Sequence, residues 1–339
     1  MTPPANSGER LSNVDVLRGG AALAVCFFHF SRGDFLQPLL VQPVAQLGYL
    51  GVDAFFVISG FVIPLALWRG GFTLRQLPTF LLARFTRLYP AFLASGLLVI
   101  ALWHVSALVP GFRGSGPLFT WSQLLSNATL TCDALGQPWL IPIFWTLAVE
   151  AQYYLVVACV FPLIASAHLA TRLASAAIWL TAYLLVPVKF SILPYCALFG
   201  MGIVAFQQSV GLVSRQTANL LTAAAFAIQW FRTDFASAAI GLGSYLFIVY
   251  APTIRARPLL GLGAISYSLY LIHLPVGGRI INLCDRGALS IPARFAAVAS
   301  ALLASLFASY VFYRVIEQPS HRWSTQFRIR RPAPVASPP

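Results

Sequence analysis

Charge is what this chain has least of. Only 9% of its 339 residues are Asp, Glu, Lys or Arg, against about 25% in a typical soluble domain. So few charges cannot cover the surface of a water-soluble globule, and a disordered chain would be far more polar. Five cysteines in this length exclude a disulfide-rich secreted scaffold. No internal repeat is visible, which removes the usual basis for an inverted-repeat transporter. The first apolar run is followed by SRGDF and lacks a small-x-small cleavage site, so it reads as a retained signal anchor. The basic residues form no patch interleaved with stacking aromatics, so a nucleic-acid partner is not expected despite a net charge of +13. Lys189 is the only lysine, and the preference for Arg reads as the composition of a GC-rich bacterium.

What is present is hydrophobic sequence, 58% of the chain. A helix needs about 20 mostly apolar residues to cross a bilayer core. Ten runs approach that length: 14–31, 48–68, 88–109, 145–165, 172–187, 190–207, 217–231, 236–251, 261–282 and 293–314. The spans at 172–187, 217–231 and 236–251 are the shortest. An even number puts both termini on one side. With the N-terminus inside, 15 of the 22 Lys and Arg fall on the inner side, as the positive-inside rule asks. The expectation is an all-α integral membrane protein of about ten transmembrane helices, multi-pass in a bacterial inner membrane, with both termini cytoplasmic. Residues 1–325 form its single membrane domain. Residues 326–339, QFRIRRPAPVASPP, read as a basic, Pro-rich cytoplasmic tail without fixed structure. Cys132 and Cys284 both fall on the outer side, which leaves a disulfide open; the other cysteines read as small apolar residues.

Ionisable groups at membrane depth are costly and usually functional. In DVLRGGAALAVCFFHF, Arg18 and His29 lie eleven residues apart, on one helical face and about 16 Å apart along the axis. Asp15 is three residues before Arg18 and can pair with it. A snorkelling arginine and a histidine satisfied in the core remain the plainer alternative for this pair. Cys26, one turn from His29, reads as a packing residue. Asp53 opens the second span in GVDAFFVISGF, where a carboxylate stays neutral or finds a cation such as Arg32. Arg84 and Arg87 of RFTRLYP share a face at the inner boundary and need an anion between them, either lipid headgroups or a polyphosphate ligand. Glu150 sits among the aromatics of FWTLAVEAQYYL, which include Tyr153, and suits proton exchange or orienting a histidine. His273 falls in ISYSLYLIHLPV, with Tyr267 and Tyr270 one turn apart. Arg314 and Glu317 of YRVIEQP read as a salt bridge at the inner end of the last span.

Taken in order, LRGGAALAVCFFHF, GVDAFFVISGF, RFTRLYP, FWTLAVEAQYYL, ISYSLYLIH and YRVIEQP resemble the motifs of bacterial acyltransferase family three, the OafA/ExoZ-like integral-membrane O-acyltransferases, over roughly residues 11–320. The resemblance implies a ten-helix enzyme that takes an acyl group, usually acetyl, from cytoplasmic acyl-coenzyme A. It passes that group to a hydroxyl, commonly on a carbohydrate and sometimes on a macrolide or other small molecule. It implies no metal. The family's Arg…His pair matches Arg18 and His29, its R-x-x-R matches Arg84 and Arg87, and its buried Glu matches Glu150. Two positions depart: Ala148 stands where Ser is usual, and Ile272 where Trp precedes the histidine. Many members carry an extra periplasmic domain, and a stand-alone type is expected here.

On that basis His29 and Glu150 are the expected catalytic residues, with His29 either the base or transiently acylated. Arg18, Arg84 and Arg87 are expected to bind the coenzyme A phosphates, and Asp53, Tyr153 and His273 the acceptor. A proton-coupled exporter built on His29, Glu150 and His273, or a lipid-facing scaffold, are the competing readings.

Overall fold

A computed structural model describes residues 7–31, 41–108, 119–185, 191–285, 289–327 and 329. Arg32 and nearly all of the 326–339 tail lie outside them. The described residues contain helices and no strands. A helix stands at each of the ten runs: α1 (Ser7–Phe30), α2 (Gly51–Gly70), α3 (Leu77–Ala107), α4 (Phe144–Ile164), α5 (Leu169–Leu185), α6 (Cys196–Ser209), α7 (Arg215–Arg232) and α8 (Phe235–Tyr250) come first. The ninth run is broken into α9 (Arg257–Ala264), α10 (Ser266–His273) and α11 (Arg279–Cys284), and the tenth is α12 (Ile291–Phe312), continued by α13 (Gln318–Ser324). Among the described residues, five helical stretches are long and apolar enough to cross a membrane, or six if the pair bent by 58° at Ile265 is one span.

Local chemistry sets the ends. α3 starts behind a capping box in which the Thr73 backbone N–H donates to Gln76 Oε1 at 2.8 Å, and proline stands in its first turn. Ser214 and Asp234 cap α7 and α8, accepting from the backbone N–H of Thr217 and Ser237 at 3.1 and 2.8 Å. α2 ends at Gly71, whose φ of 66° few other residues tolerate.

With lipid outside, apolar packing gives helices no reason to prefer one another over lipid, so close approach decides. α2 crosses α6 at Gly60 and Gly202, where a Cβ on either would collide with the other helix's backbone. The largest core cluster surrounds this crossing, with the Tyr153 and Phe199 rings stacked at 4.0 Å. α9 is pressed onto α1 in the same way, Gly263 lying against the Asp15 backbone. Phe231 and Phe307 point outward, 83% and 73% exposed, as lipid-facing residues do. Cys132 and Cys284 are free thiols, so the disulfide left open by the sequence is not formed.

Two π-helical turns interrupt the last spans: Leu274–Gly278 directly after His273, and Tyr313–Glu317 between α12 and α13. Such turns cluster at functional positions.

Candidate active site

Two cavities meet inside the bundle. The first, about 110 Å³, is lined by Arg18 of α1, Ser59 of α2, Arg84 and Arg87 of α3, Glu150 and Tyr154 of α4, and Tyr267 and Tyr270 of α10. The second, about 330 Å³, is lined by His29, Asp53, Tyr49, Trp145, Tyr195, Gln229, Thr233, Asp234 and Ser237. Val52 and Tyr270 belong to both walls, so the cavities adjoin there. A third, apolar cavity of about 460 Å³ shares Arg84, Glu150, Tyr154 and Tyr267 with the first.

Arg18 of α1 and Arg84 and Arg87 of α3 therefore line one cavity. Arg84 stacks its guanidinium over the Phe80 and Tyr154 rings, 5.3 and 5.8 Å from the centroids. Glu150 Oε1 accepts hydrogen bonds from Ser59 Oγ at 2.9 Å and Tyr154 Oη at 2.5 Å. Glu150 thus stands with the arginines, in electrostatic range of Arg84, rather than beside His29.

The group that orients His29 is His273. The His273 Nδ1 lies 3.1 Å from the Leu269 carbonyl, and its Nε2 lies 3.1 Å from His29 Nδ1. A carbonyl only accepts, so His273 carries its proton on Nδ1 and presents Nε2 as an acceptor. His29 Nδ1, which also faces the Val25 carbonyl at 2.9 Å, is then the donor. This places the lone pair of His29 on Nε2, the tautomer a general base requires. His273 itself is fully buried and absent from the lining of all three cavities.

Asp53 is buried and lines the histidine cavity together with Ser237, whose Oγ accepts from Gln229 Nε2 at 2.9 Å. Tyr153, expected at the acceptor, is instead packed in the core against Phe199 and Trp179. Its hydroxyl has no hydrogen-bond partner among the described residues. Successive side chains of a helix point about 100° apart, so with Tyr154 on the cavity wall beside Glu150, Tyr153 is turned into the packing against α5 and α6. Ser59, Tyr195 and Asp234 were missed, because only the fold brings them to a cavity wall. Cys26 packs with Phe30 and Leu269 and lines none of the three cavities. No cluster of His, Cys, Asp or Glu among the described residues is arranged to hold a metal.

The fold and site define an all-helical membrane protein with a cationic cavity opening onto a base-competent histidine. The chain belongs to the acyltransferase 3 family: a family model described as an acyltransferase domain matches residues 11–314. It is similar to the peptidoglycan O-acetyltransferase OatA of Listeria monocytogenes, 29% identical over 161 residues, 44% of this chain and 24% of that protein. It is also similar to the acyltransferase MdmB of Streptomyces mycarofaciens, 30% identical over 158 residues, 43% of this chain and 38% of that one. The matched stretches thus span well under half of either relative. No solved structure is significantly similar.

Proposed function

We propose that this chain transfers an acetyl group from acetyl-coenzyme A on the cytoplasmic side to a hydroxyl of a carbohydrate on the outer side of a bacterial inner membrane. The observation that carries the reading is the junction of the two cavities at Val52 and Tyr270, with three arginines in one wall and His29 in the other. Arg18, Arg84 and Arg87 hold the coenzyme A phosphates through charge-assisted hydrogen bonds. The pantetheine arm runs past Tyr270 and brings the thioester carbonyl to His29.

His29 Nε2 takes the proton of the acceptor hydroxyl as its oxygen attacks the thioester carbonyl. The carbon–sulfur bond breaks, and the imidazolium returns the proton to the departing thiolate. Holding both substrates in line in a water-poor site supplies much of the acceleration. The wall around His29 favours a sugar: aromatic faces from Tyr49, Trp145 and Tyr195, acceptors from Asp53 and Asp234, and, among the described residues, neither Arg nor Lys. Similarity to a protein named as a peptidoglycan O-acetyltransferase supports a glycan acceptor.

The test is mass spectrometry of cell-envelope glycans and small metabolites from a deletion strain complemented with wild type or His29→Ala. Loss of an acetyl mass from a glycan, restored only by wild type, is expected. Loss confined to a small metabolite would move the acceptor to that class, and no acetyl loss would overturn the reading. An exporter would instead show an unmodified solute accumulating in the cells.

A further inference from the structure

Of the six motifs, YRVIEQP is the one the proposed mechanism leaves without a task. The structure shows why its sequence reading fails. Arg314 and Glu317 are three residues apart and would share one face of an α-helix, but they fall within the π-turn Tyr313–Glu317. The i→i+5 turn adds a residue per bulge and rotates the two side chains apart. Arg314 is left exposed and Glu317 turns inward, 8% exposed. There Glu317 Oε2 accepts from the Ser268 backbone N–H at 3.1 Å and from Ser268 Oγ at 2.6 Å. Its carboxylate lies in electrostatic range of Arg18 and Arg87.

We propose that Glu317, clamped by Ser268, is a positioning residue for the donor: it holds Arg18 and Arg87 aimed into the cavity that takes the coenzyme A phosphates. The proposal rests on the acetyl-coenzyme A reading above. Arg87 has Arg84 and Arg18 as like-charged neighbours in a low-dielectric interior, where their repulsion favours splaying apart. Without a counter-charge the guanidiniums would turn toward water or lipid headgroups. Asp15 supplies part of that counter-charge, being in range of both Arg18 and Arg87.

Glu317 is placed so that it supports without competing. It is absent from the cavity's lining, whereas Arg18 and Arg87 line it. Two hydrogen bonds from Ser268 hold the carboxylate on the wall side, so phosphates approaching through the cavity do not have to displace it. Ser268 belongs to α10, the helix that carries His273 five residues later. One short rigid element therefore sets both the donor-binding arginines and the histidine that orients the base.

Equilibrium binding of labelled acetyl-coenzyme A to the full-length protein in lipid nanodiscs separates this role from a merely structural one. Glu317→Gln should weaken binding about tenfold, the scale of about 1.4 kcal/mol, while thermal stability in the same nanodiscs changes little. Glu317→Asp should recover a good part of the loss, and Arg314→Ala should bind as wild type. Should Glu317→Gln fail to fold, Ser268→Ala loosens the clamp with the carboxylate kept, and weaker binding is again expected. Binding by Glu317→Gln that equals or exceeds wild type overturns the proposal, since the carboxylate would then be idle or a competitor. Weaker binding that tracks a fall in stability and that Glu317→Asp does not rescue also overturns it. If wild type itself does not bind acetyl-coenzyme A, the donor reading falls and this proposal with it; normal wild-type binding with an indifferent Glu317→Gln sinks the proposal alone.

Discussion

A histidine ring has two nitrogens, and the chemistry of His29 depends on which one carries the proton. Backbone carbonyls decide it: Leu269 fixes His273, and His273 with Val25 fixes His29. His29→Ala should therefore reduce acyl transfer by about 10²-fold or more, the usual worth of a general base, with the protein still inserted and folded by thermal melt. His273→Gln should lower the rate at saturating donor at least about tenfold while leaving acetyl-coenzyme A binding unchanged, because His273 touches the base and lines none of the described cavities. Parallel loss of binding would show that His273 holds the donor instead. The sequence placed both histidines at membrane depth but not in contact. Their rings belong to α1 and α10, 244 residues apart, and periodicity within a helix says nothing about pairing between helices. Glu150 illustrates the same limit. Its partner Tyr154 lies one turn further along the same helix, where the sequence reading chose Tyr153, and Ser59 comes from another helix.

At the scale of the element, composition carried most of the fold. Hydropathy places a helix at each of the ten runs, because a chain in lipid must satisfy its backbone hydrogen bonds locally. Composition could not reveal where the helices break. The 58° bend at Ile265 and the two π-turns leave the apolar pattern intact, yet they redirect His273 and Glu317. Nor could it say which glycines matter. Gly202 approaches α2 so closely that a Cβ would meet the Val57 carbonyl and Gly60. Gly202→Ala is expected to destabilise the protein by about 1–3 kcal/mol, read as a lower midpoint of thermal unfolding in nanodiscs. Gly243→Ala, where a Cβ meets nothing within 4 Å, is the control that should be nearly silent.

Over the whole molecule, a chain with a net charge of +13 divides its ionisable groups by task. Arg18, Arg84 and Arg87 gather at one cavity, while the adjoining cavity has Asp53 and Asp234 and, among the described residues, neither Arg nor Lys in its wall. In the proposed reading, the phosphates of an anionic donor are drawn to the first wall and kept from the second, while its uncharged acyl end reaches past Tyr270. Arg87→Gln should accordingly raise the apparent KM for acetyl-coenzyme A about tenfold or more, with a smaller effect on the rate at saturation, as loss of a binding contact requires. A drop in the saturated rate at unchanged KM would argue against phosphate binding at this residue.

The central claim is that the arginine cavity delivers an acetyl group to His29, and single-turnover transfer tests it most directly. Protein in nanodiscs is loaded with labelled acetyl-coenzyme A and mixed with cell-envelope glycan from the deletion strain, and label on the glycan is followed in time. Wild type is predicted to move the label onto the glycan, and His29→Ala to bind donor equally well yet move almost none. Transfer by His29→Ala at a rate near that of wild type would contradict the account.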